Sequence, residues 1–282
     1  MVNDEIEIEK LIQNALLEDV GDGDHSSRAC IPPDARGKAK LIVKQHGIIS
    51  GIDIAKRVFD ITGPLARFDQ LIGDGDEVAR GDIVFTIEGN IQTILKSERL
   101  VLNIMQRMSG IATATRVYVN KLEGLPTRIL DTRKTTPGTR VLEKMAVKTG
   151  GGENHRMGLY DMIMLKDNHV DYAGGIKAAI TKTKKYLKDT GKTLEIEIEA
   201  RTLDDVKKIL EVGGIQRIML DNFDLSSTRE AVKIIDGKYE TESSGGITLE
   251  TIRDYASCGV DFISVGALTH QIKSVDMSLK AM

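Results

Sequence analysis

From residue 125 onward the chain keeps one rhythm, which constrains its fold more than any other feature. Short β-rich runs at 128–131, 162–165, 194–199, 215–220, 239–243 and 261–265 alternate with helix-length segments such as 176–188, 203–212, 226–236 and 248–257. Alternating β and α over about 140 residues requires parallel strands joined by crossover helices. Six such units are too few for a standard eightfold barrel. The reading is therefore a smaller or partly open α/β barrel, with a doubly wound open sheet as the structural alternative.

The first part of the chain reads differently. Ile8, Leu11, Ile12, Ala15 and Leu16 share one helical face within 6–17, and the Gly21–Asp24 loop ends that helix. Ala39, Leu41 and Val43 then alternate with lysines, and Gly73-Asp74-Gly75-Asp76 and Gly81-Asp82 punctuate short apolar runs, which predicts a small sheet with a helix at 52–61. A long helical pattern at 91–108 puts Ile94, Val101, Met105 and Met108 on one side, and Ser109-Gly110 predicts a break before a second helix. With 41% hydrophobic and 29% charged residues and a formal charge of -3, the 282-residue chain is neither disordered nor collagen-like, and the near-neutral balance argues against bulk nucleic-acid binding. Its two cysteines, Cys30 and Cys258, lack metal-ligand or disulfide-framework spacing, and His25 and His46 have no ligand-spaced partners for a structural zinc. The opening MVNDEIEIEK has no signal-peptide layout, and no apolar run approaches a membrane span, so the expected location is cytoplasmic.

In parallel α/β folds, ligands bind where the strands' carboxyl ends and their loops converge. Each candidate strand here ends in polar residues or glycine: Asp131, Arg133 and Lys134; Lys166, Asp167, Asn168 and His169; Glu199; Asp221 and Asn222; Ser243-Ser244-Gly245-Gly246; and Gly266. Solvated loops would explain any one junction, but they explain six less well. The run Glu195-Ile196-Glu197-Ile198-Glu199 sets three glutamates on one face of a strand and two isoleucines on the other. In isolation an exposed acidic face is the simpler reading; in a barrel the isoleucines meet helices and the glutamates point inward, where cations must meet them. Lys166 and Arg133 are available, or a metal held by Glu199 and Asp221, hard oxygen ligands suited to Mg2+. Gly245-Gly246, before a helix expected near Thr248, and the Gly266–His270 loop offer backbone N–H groups to a phosphate. Residues 128–166 hold eight Lys or Arg against four Asp or Glu. Lys144 and Lys148 fit a solvated helix face, whereas Arg133, Lys134, His155, Arg156 and Lys166 imply a small polyanionic ligand. Arg107, on these grounds alone, is an exposed helix charge.

Together these residues resemble a known family. Asp131-Thr132-Arg133-Lys134-Thr135-Thr136-Pro137-Gly138, Gly150-Gly151-Gly152-Glu153-Asn154-His155-Arg156 and Leu165-Lys166-Asp167-Asn168-His169 are similar to quinolinate phosphoribosyltransferases. So are Ile196–Glu199, Met219-Leu220-Asp221-Asn222-Phe223, Ser244–Ile247, Glu18–Asp24 and Asn103–Thr113, in order over nearly the whole chain. One departure is His25, where family members more often carry an apolar residue. The resemblance implies an N-terminal α/β sandwich domain at 1–112, with 271–282 packing back on it, and a barrel domain at 113–270 with seven strands rather than the six read above. It implies conversion of quinolinate and phosphoribosyl pyrophosphate to nicotinate mononucleotide, pyrophosphate and CO2, with Mg2+, by a homodimer in which Arg107 enters the neighbour's site. Arg107, Arg133, Lys134, His155, Arg156 and Lys166 would bind quinolinate or lie beside it, with Lys134 and Lys166 catalytic. Glu199 and Asp221 would stabilise an oxocarbenium-like ribose, directly or through the metal, and Ser244, Gly245, Gly246, Gly266 and His270 would serve the phosphate.

Three other readings compete. A transferase on the same scaffold could use a different pyridine, but the Arg/His/Lys cluster favours a dicarboxylate. A Schiff-base aldolase would use Lys166 as nucleophile. The Gly-Asp turns at 73–76 and 81–82 resemble those of lipoyl- or biotin-carrier domains, but no lysine sits between them to be modified.

Overall fold

The computed structural model describes residues 2–282, with side chains from Asp4 onward. Its elements begin with α1 (Val2–Val20), α2 (His25–Cys30), β1 (Arg36–Val43), β2 (Gly47–Ile48), α3 (Ile52–Thr62), β3 (Arg67–Gln70), β4 (Glu77–Val78), β5 (Ile83–Asn90) and α4 (Ile91–Lys121). Next come β6 (Arg128–Leu130), α5 (Arg140–Thr149), β7 (Ile163–Leu165), α6 (Asp167–Ala173), α7 (Ile176–Thr190), β8 (Ile196–Ala200) and α8 (Leu203–Val212). The chain closes with β9 (Arg217–Asp221), α9 (Leu225–Ile235), β10 (Glu240–Ser244), α10 (Ile252–Ala256), β11 (Phe262–Ser264), α11 (Ala267–His270) and β12 (Met277–Ala281). Two compact units result: one holds the chain up to 116 with 135–151 and 267–282, the other 117–134 with 152–266. The division thus differs from the expected cut at 112, chiefly because α5 and its approach join the first unit.

The first unit carries an antiparallel sheet ordered β12-β1-β5-β3. The lysine alternation in β1 does what period two requires: Ala39, Leu41 and Val43 are buried while their neighbours are not. β12 pairs with β1 from Ala39–Ala281 to Val43–Met277, so the C-terminal strand completes this sheet. The expected break at Ser109-Gly110 is absent, and α4 runs unbroken. Ser109 is fully buried; its Oγ accepts from the Ser50 N–H (3.0 Å) and reaches the Ser50 carbonyl (3.3 Å). A Cβ on Gly110 would stand 2.5 Å from the Lys273 carbonyl. These small residues admit neighbouring backbone, and that packing outweighs the ~1 kcal/mol a mid-helix glycine costs. Lys144 corrects a second expectation: Lys148 on α5 is exposed, but Lys144 is fully buried and engaged.

The second unit is a parallel sheet ordered β6-β11-β10-β9-β8-β7, with helices in the intervening segments. The seventh strand implied by the resemblance has shrunk to a single parallel bridge, Leu130–Glu153, on the outer edge of β6. There the Glu153 N–H donates to the Ile129 carbonyl (2.8 Å) and the Asp131 N–H to the Glu153 carbonyl (3.1 Å). All of β8 is buried, on both faces. Glu195 is exposed and precedes the strand, so two glutamates rather than three point inward. β10 reads Glu-Thr-Glu-Ser-Ser, and its Thr241, Glu242 and Ser243 are buried without one hydrophobic residue, so the interior at that strand is polar. Thr202 and Asp224 cap α8 and α9 by accepting from the Asp205 N–H (3.1 Å) and the Ser227 N–H (2.7 Å). Among the described residues, no helix is long and apolar enough to cross a membrane.

Candidate active site

The carboxyl ends of the second unit's strands enclose a cavity of about 660 Å3. Arg133, Lys134, His155, Arg156, Lys166, Glu199, Asp221, Ser244, Gly245 and Gly246 all line it. Of the remaining expected site residues, Gly266 follows β11 outside that lining, and His270 is exposed at the end of α11 in the first unit.

The basic wall is fixed from β6 and β7. Buried Asp131 ends β6, and its carboxylate accepts from the His155 N–H (2.8 Å) and Asn154 Nδ2 (2.6 Å), clamping the segment that carries Arg156. Arg156 spends Nη1 on the Met162 carbonyl (3.2 Å) and turns Nη2 toward Met164 Sδ (3.7 Å). Its pKa is lowered, first by burial and then by the charge of Arg133. Arg133 holds its Nε out of water with no hydrogen-bond partner. A buried, unpaired guanidinium donor is costly unless a ligand meets it, so the cavity is built for an anion.

The acidic wall stands on β8 and β9. Glu199 accepts Lys166 Nζ on Oε1 (2.8 Å) and the Asp167 N–H on Oε2 (3.0 Å). This is the cation the inward glutamate requires, and it ties Lys166 into an ion pair, whereas a Schiff-base lysine must be free to attack. Asp221 uses Oδ2 to accept from Asn222 Nδ2 (2.9 Å). Burial, then the charge of Glu199, raise the Asp221 pKa. Gly245 and Gly246 both take positive φ (96° and 64°), forming a tight turn beside Ser244. The helix expected near Thr248 starts only at Ile252 and has five residues, so a phosphate there meets backbone N–H groups rather than a helix dipole.

At the base of the cavity lies a charged cluster in which the inward Glu197 and the expected His155 meet, with Glu242 and Arg217, two partners sequence reasoning did not name. His155 Nε2 stands 2.9 Å from Glu197 Oε2 and 3.4 Å from Glu242 Oε2, as ion-pair contacts rather than aligned hydrogen bonds. Arg217 reaches Glu242 (3.3 Å) and Glu240 (2.9 Å), and its guanidinium lies 4.1 Å from the Phe262 ring centre, with Arg128 at 4.2 Å. Burial disfavours charge on His155, but Glu197 and Glu242 outweigh it and raise its pKa to about 9. Burial and Glu242 in turn raise Glu197 to about 7. The three donor atoms lie within 4.8 Å of one another, as metal ligands do. However, His155 Nδ1 accepts the Arg156 N–H (2.6 Å), which places the ring proton on Nε2, so that nitrogen has no lone pair for a cation. The cluster holds a proton. The available signal was β10 itself, an interior strand with no apolar residue; Ser264, which also lines the cavity, is a further miss, while Asn222, read as a strand-end polar residue, lines it as well.

Arg107 is not a free surface charge. Within the first unit its Nε and Nη2 both donate to Glu143 Oε1 (2.9 and 2.7 Å), and Nη2 also reaches Thr136 Oγ1 (2.8 Å) and the Thr269 carbonyl (3.2 Å). Glu143 is itself buried, and its oxygens take the Thr136 N–H (3.3 Å) and Thr139 hydroxyl (3.1 Å) as well.

Known sequences and structures match this arrangement along nearly its whole length. Residues 24–109 match the quinolinate phosphoribosyl transferase N-terminal domain and residues 111–280 its C-terminal domain. This chain belongs to the quinolinate phosphoribosyltransferase family. Relatives include an Arabidopsis thaliana chloroplastic nicotinate-nucleotide pyrophosphorylase (carboxylating), 43% identical over 97% of this chain and 82% of that one. A probable nicotinate-nucleotide pyrophosphorylase (carboxylating) of Bacillus subtilis is 39% identical over 97% and 93%. The crystal structure of NadC from Streptococcus pyogenes superposes with a TM-score of 0.92 at 36% identity, covering 98% of each chain. As a member of this family the chain is a pentosyltransferase, with an antiparallel sheet in the first unit and a six-stranded parallel sheet, consistent with an α/β barrel, in the second.

Proposed function

We infer that the cavity joins quinolinate to phosphoribosyl pyrophosphate and releases CO2, giving nicotinate mononucleotide and pyrophosphate for NAD biosynthesis. The observation that carries this reading is the sealed, partnerless Nε of Arg133 in a cavity shared with Arg156 and Lys166. Quinolinate is a dianion whose carboxylates complete those cations. Both nitrogens of His155 are already engaged, so it supports Arg156 from behind rather than donating to the substrate. Lys134 stands at the exposed rim, beside the place of the leaving pyrophosphate. Ser244, Gly245 and Gly246 receive the 5-phosphate, while Gly266 and His270 lie outside the cavity lining and contribute less directly.

As pyrophosphate leaves, positive charge develops on the ribose, and Glu199 and Asp221 face it from one wall. The pyridine nitrogen attacks the anomeric carbon, and the quaternised ring accepts the electron pair left as the 2-carboxylate departs as CO2. A proton then takes its place at C2. No covalent nucleophile is needed, so positioning and electrostatics do the catalysis.

Mg2+ suits Asp221 better than Glu199. Each Glu199 oxygen already accepts a protein donor, while Asp221 commits only Oδ2 and carries a pKa raised by burial and then by the charge of Glu199, a strain that a cation relieves. Asp221 would hold the ion, Glu199 would act through water, and the ion would supply charge to the leaving pyrophosphate. The same reading makes the enzyme a cytoplasmic homodimer, without nucleic-acid or membrane partners, in which Arg107 serves the neighbour's cavity. Glu143 grips one edge of that guanidinium and leaves Nη1 uncommitted.

A coupled assay with quinolinate, phosphoribosyl pyrophosphate and Mg2+ tests the reading by following CO2 and pyrophosphate together. Equal yields of both, with no turnover of nicotinate, are expected. Turnover of nicotinate without CO2 would overturn the substrate assignment.

A further inference from the structure

Among the described residues, only Asn222 and Asp236 combine a side chain with a positive φ. Asp236 (φ 47°) caps the C-terminus of α9, an ordinary place for a left-handed residue. Asn222 (φ 56°) sits one residue past β9 in the cavity wall, where no helix end asks for that conformation. Three contacts hold it there. Its N–H donates to the Ser244 carbonyl (2.9 Å), carrying the β9–β10 ladder one step past the Asp221–Ser244 pair. Its Nδ2 donates to Asp221 Oδ2 (2.9 Å). Its Oδ1 lies so close to Gly245 that a Cβ there would stand 2.2 Å from it.

An extended residue after Asp221 would send its side chain to the opposite face of the sheet. The left-handed turn instead brings the amide back beside the preceding carboxylate. Glycine adopts that backbone more cheaply than asparagine, so conformation alone does not account for the amide.

We propose that Asn222 is a positioning residue that sets two parts of the site at once: the direction of the Asp221 carboxylate and the seat of the Gly245–Gly246 turn. The group facing the ribose and the turn receiving its phosphate thereby keep a fixed spacing. This rests on the reading of the cavity as a phosphoribosyl pyrophosphate site.

The test compares Asn222→Gly and Asn222→Asp with the unsubstituted protein, varying each substrate in steady state and measuring thermal midpoints and quinolinate affinity alongside. The Gly variant should melt at the same temperature or higher, yet show at least a tenfold rise in KM for phosphoribosyl pyrophosphate and a tenfold fall in kcat. Its affinity for quinolinate should stay within twofold. The Asp variant keeps the shape but sets a second carboxylate against Asp221, and its kcat should be as low or lower. Ordinary kinetics in the Gly variant, or an equal loss of affinity for both substrates, would overturn the role. An unsubstituted protein that fails to turn over the substrate pair would overturn the cavity reading, and this proposal with it.

Discussion

Replacing Arg133 by alanine removes a half-buried cation whose Nε is sealed from water without a partner. Its Nε makes no hydrogen bond, and its charge disfavours the ionised form of neighbouring Arg156. An unsatisfied buried donor costs about 1–3 kcal/mol, and two like charges in one cavity add to that. Arg133→Ala should therefore leave the ligand-free protein as stable as before, or more stable by about 1 kcal/mol. At this chain length that is a rise of roughly 2–4 °C in melting temperature. Quinolinate loses at the same time a charge-assisted hydrogen bond of about 1.5–3 kcal/mol, or roughly ten- to 150-fold in affinity per bond. Differential scanning fluorimetry with and without quinolinate separates the two effects. At a concentration 100 times Kd, the ligand stabilises the unsubstituted protein by about 2.7 kcal/mol. In a variant weakened 100-fold, the same concentration gives only about 0.4 kcal/mol. A melting temperature lowered by several degrees without ligand, or an undiminished shift with it, would show that Arg133 serves the fold and not the substrate.

The His155–Glu197–Glu242 cluster makes stability depend on pH. The folded state holds its proton above the unfolded pKa of 6.5 and up to about 9, so this contribution, at most on the order of 3 kcal/mol, is complete below pH 6.5 and lost as pH rises through 9. Melting temperature should fall by several degrees over that interval, and Glu197→Gln should flatten the fall; an unchanged slope would place the titration elsewhere. Glu143→Ala leaves the partly exposed Arg107 guanidinium without its carboxylate, which should cost ~1–3 kcal/mol in urea unfolding and at least tenfold in kcat. Arg107→Ala mixed with Lys166→Ala should regain about a quarter of full activity if each site draws on both subunits. No recovery despite demonstrated exchange would make each chain self-sufficient.

The basic wall was legible because its residues follow consecutive strands, and parallel topology gathers strand ends at one rim whatever lies between them. Arg133, Lys134 and Lys166 line one cavity for that reason, whereas Arg156 follows no strand and is brought there by the segment that Asp131 clamps. Periodicity was equally sufficient for β1 and for α8, whose residues Leu203–Val212 coincide with the expected helix. Where local pattern met a distant partner, it misled. Ser109-Gly110 has the composition of a break, but Ser50 and Lys273 need small residues to approach, and neither is visible from within α4. Lys144 has the spacing of a solvated face and is buried all the same.

The polar barrel interior failed to show for a deeper reason. Glu197, Arg217 and Glu242 lie on three adjacent strands, and His155 arrives from a loop; no pair of them has a spacing that marks it. Each buried charge is admissible only because the others are present, so the cluster exists as a property of register. Glu197 stands opposite Arg217, and Arg217 opposite Glu240, in the strand pairing itself. A one-residue slip in β9 would turn Arg217 to the other face and strand two carboxylates beneath the substrate cavity. The same alternation brings Glu199 and Asp221 to the rim, so the charges below and the acidic wall above are set by one register. Stability and catalysis in this barrel thus share a single geometric condition, and a substitution at Arg217 should damage both.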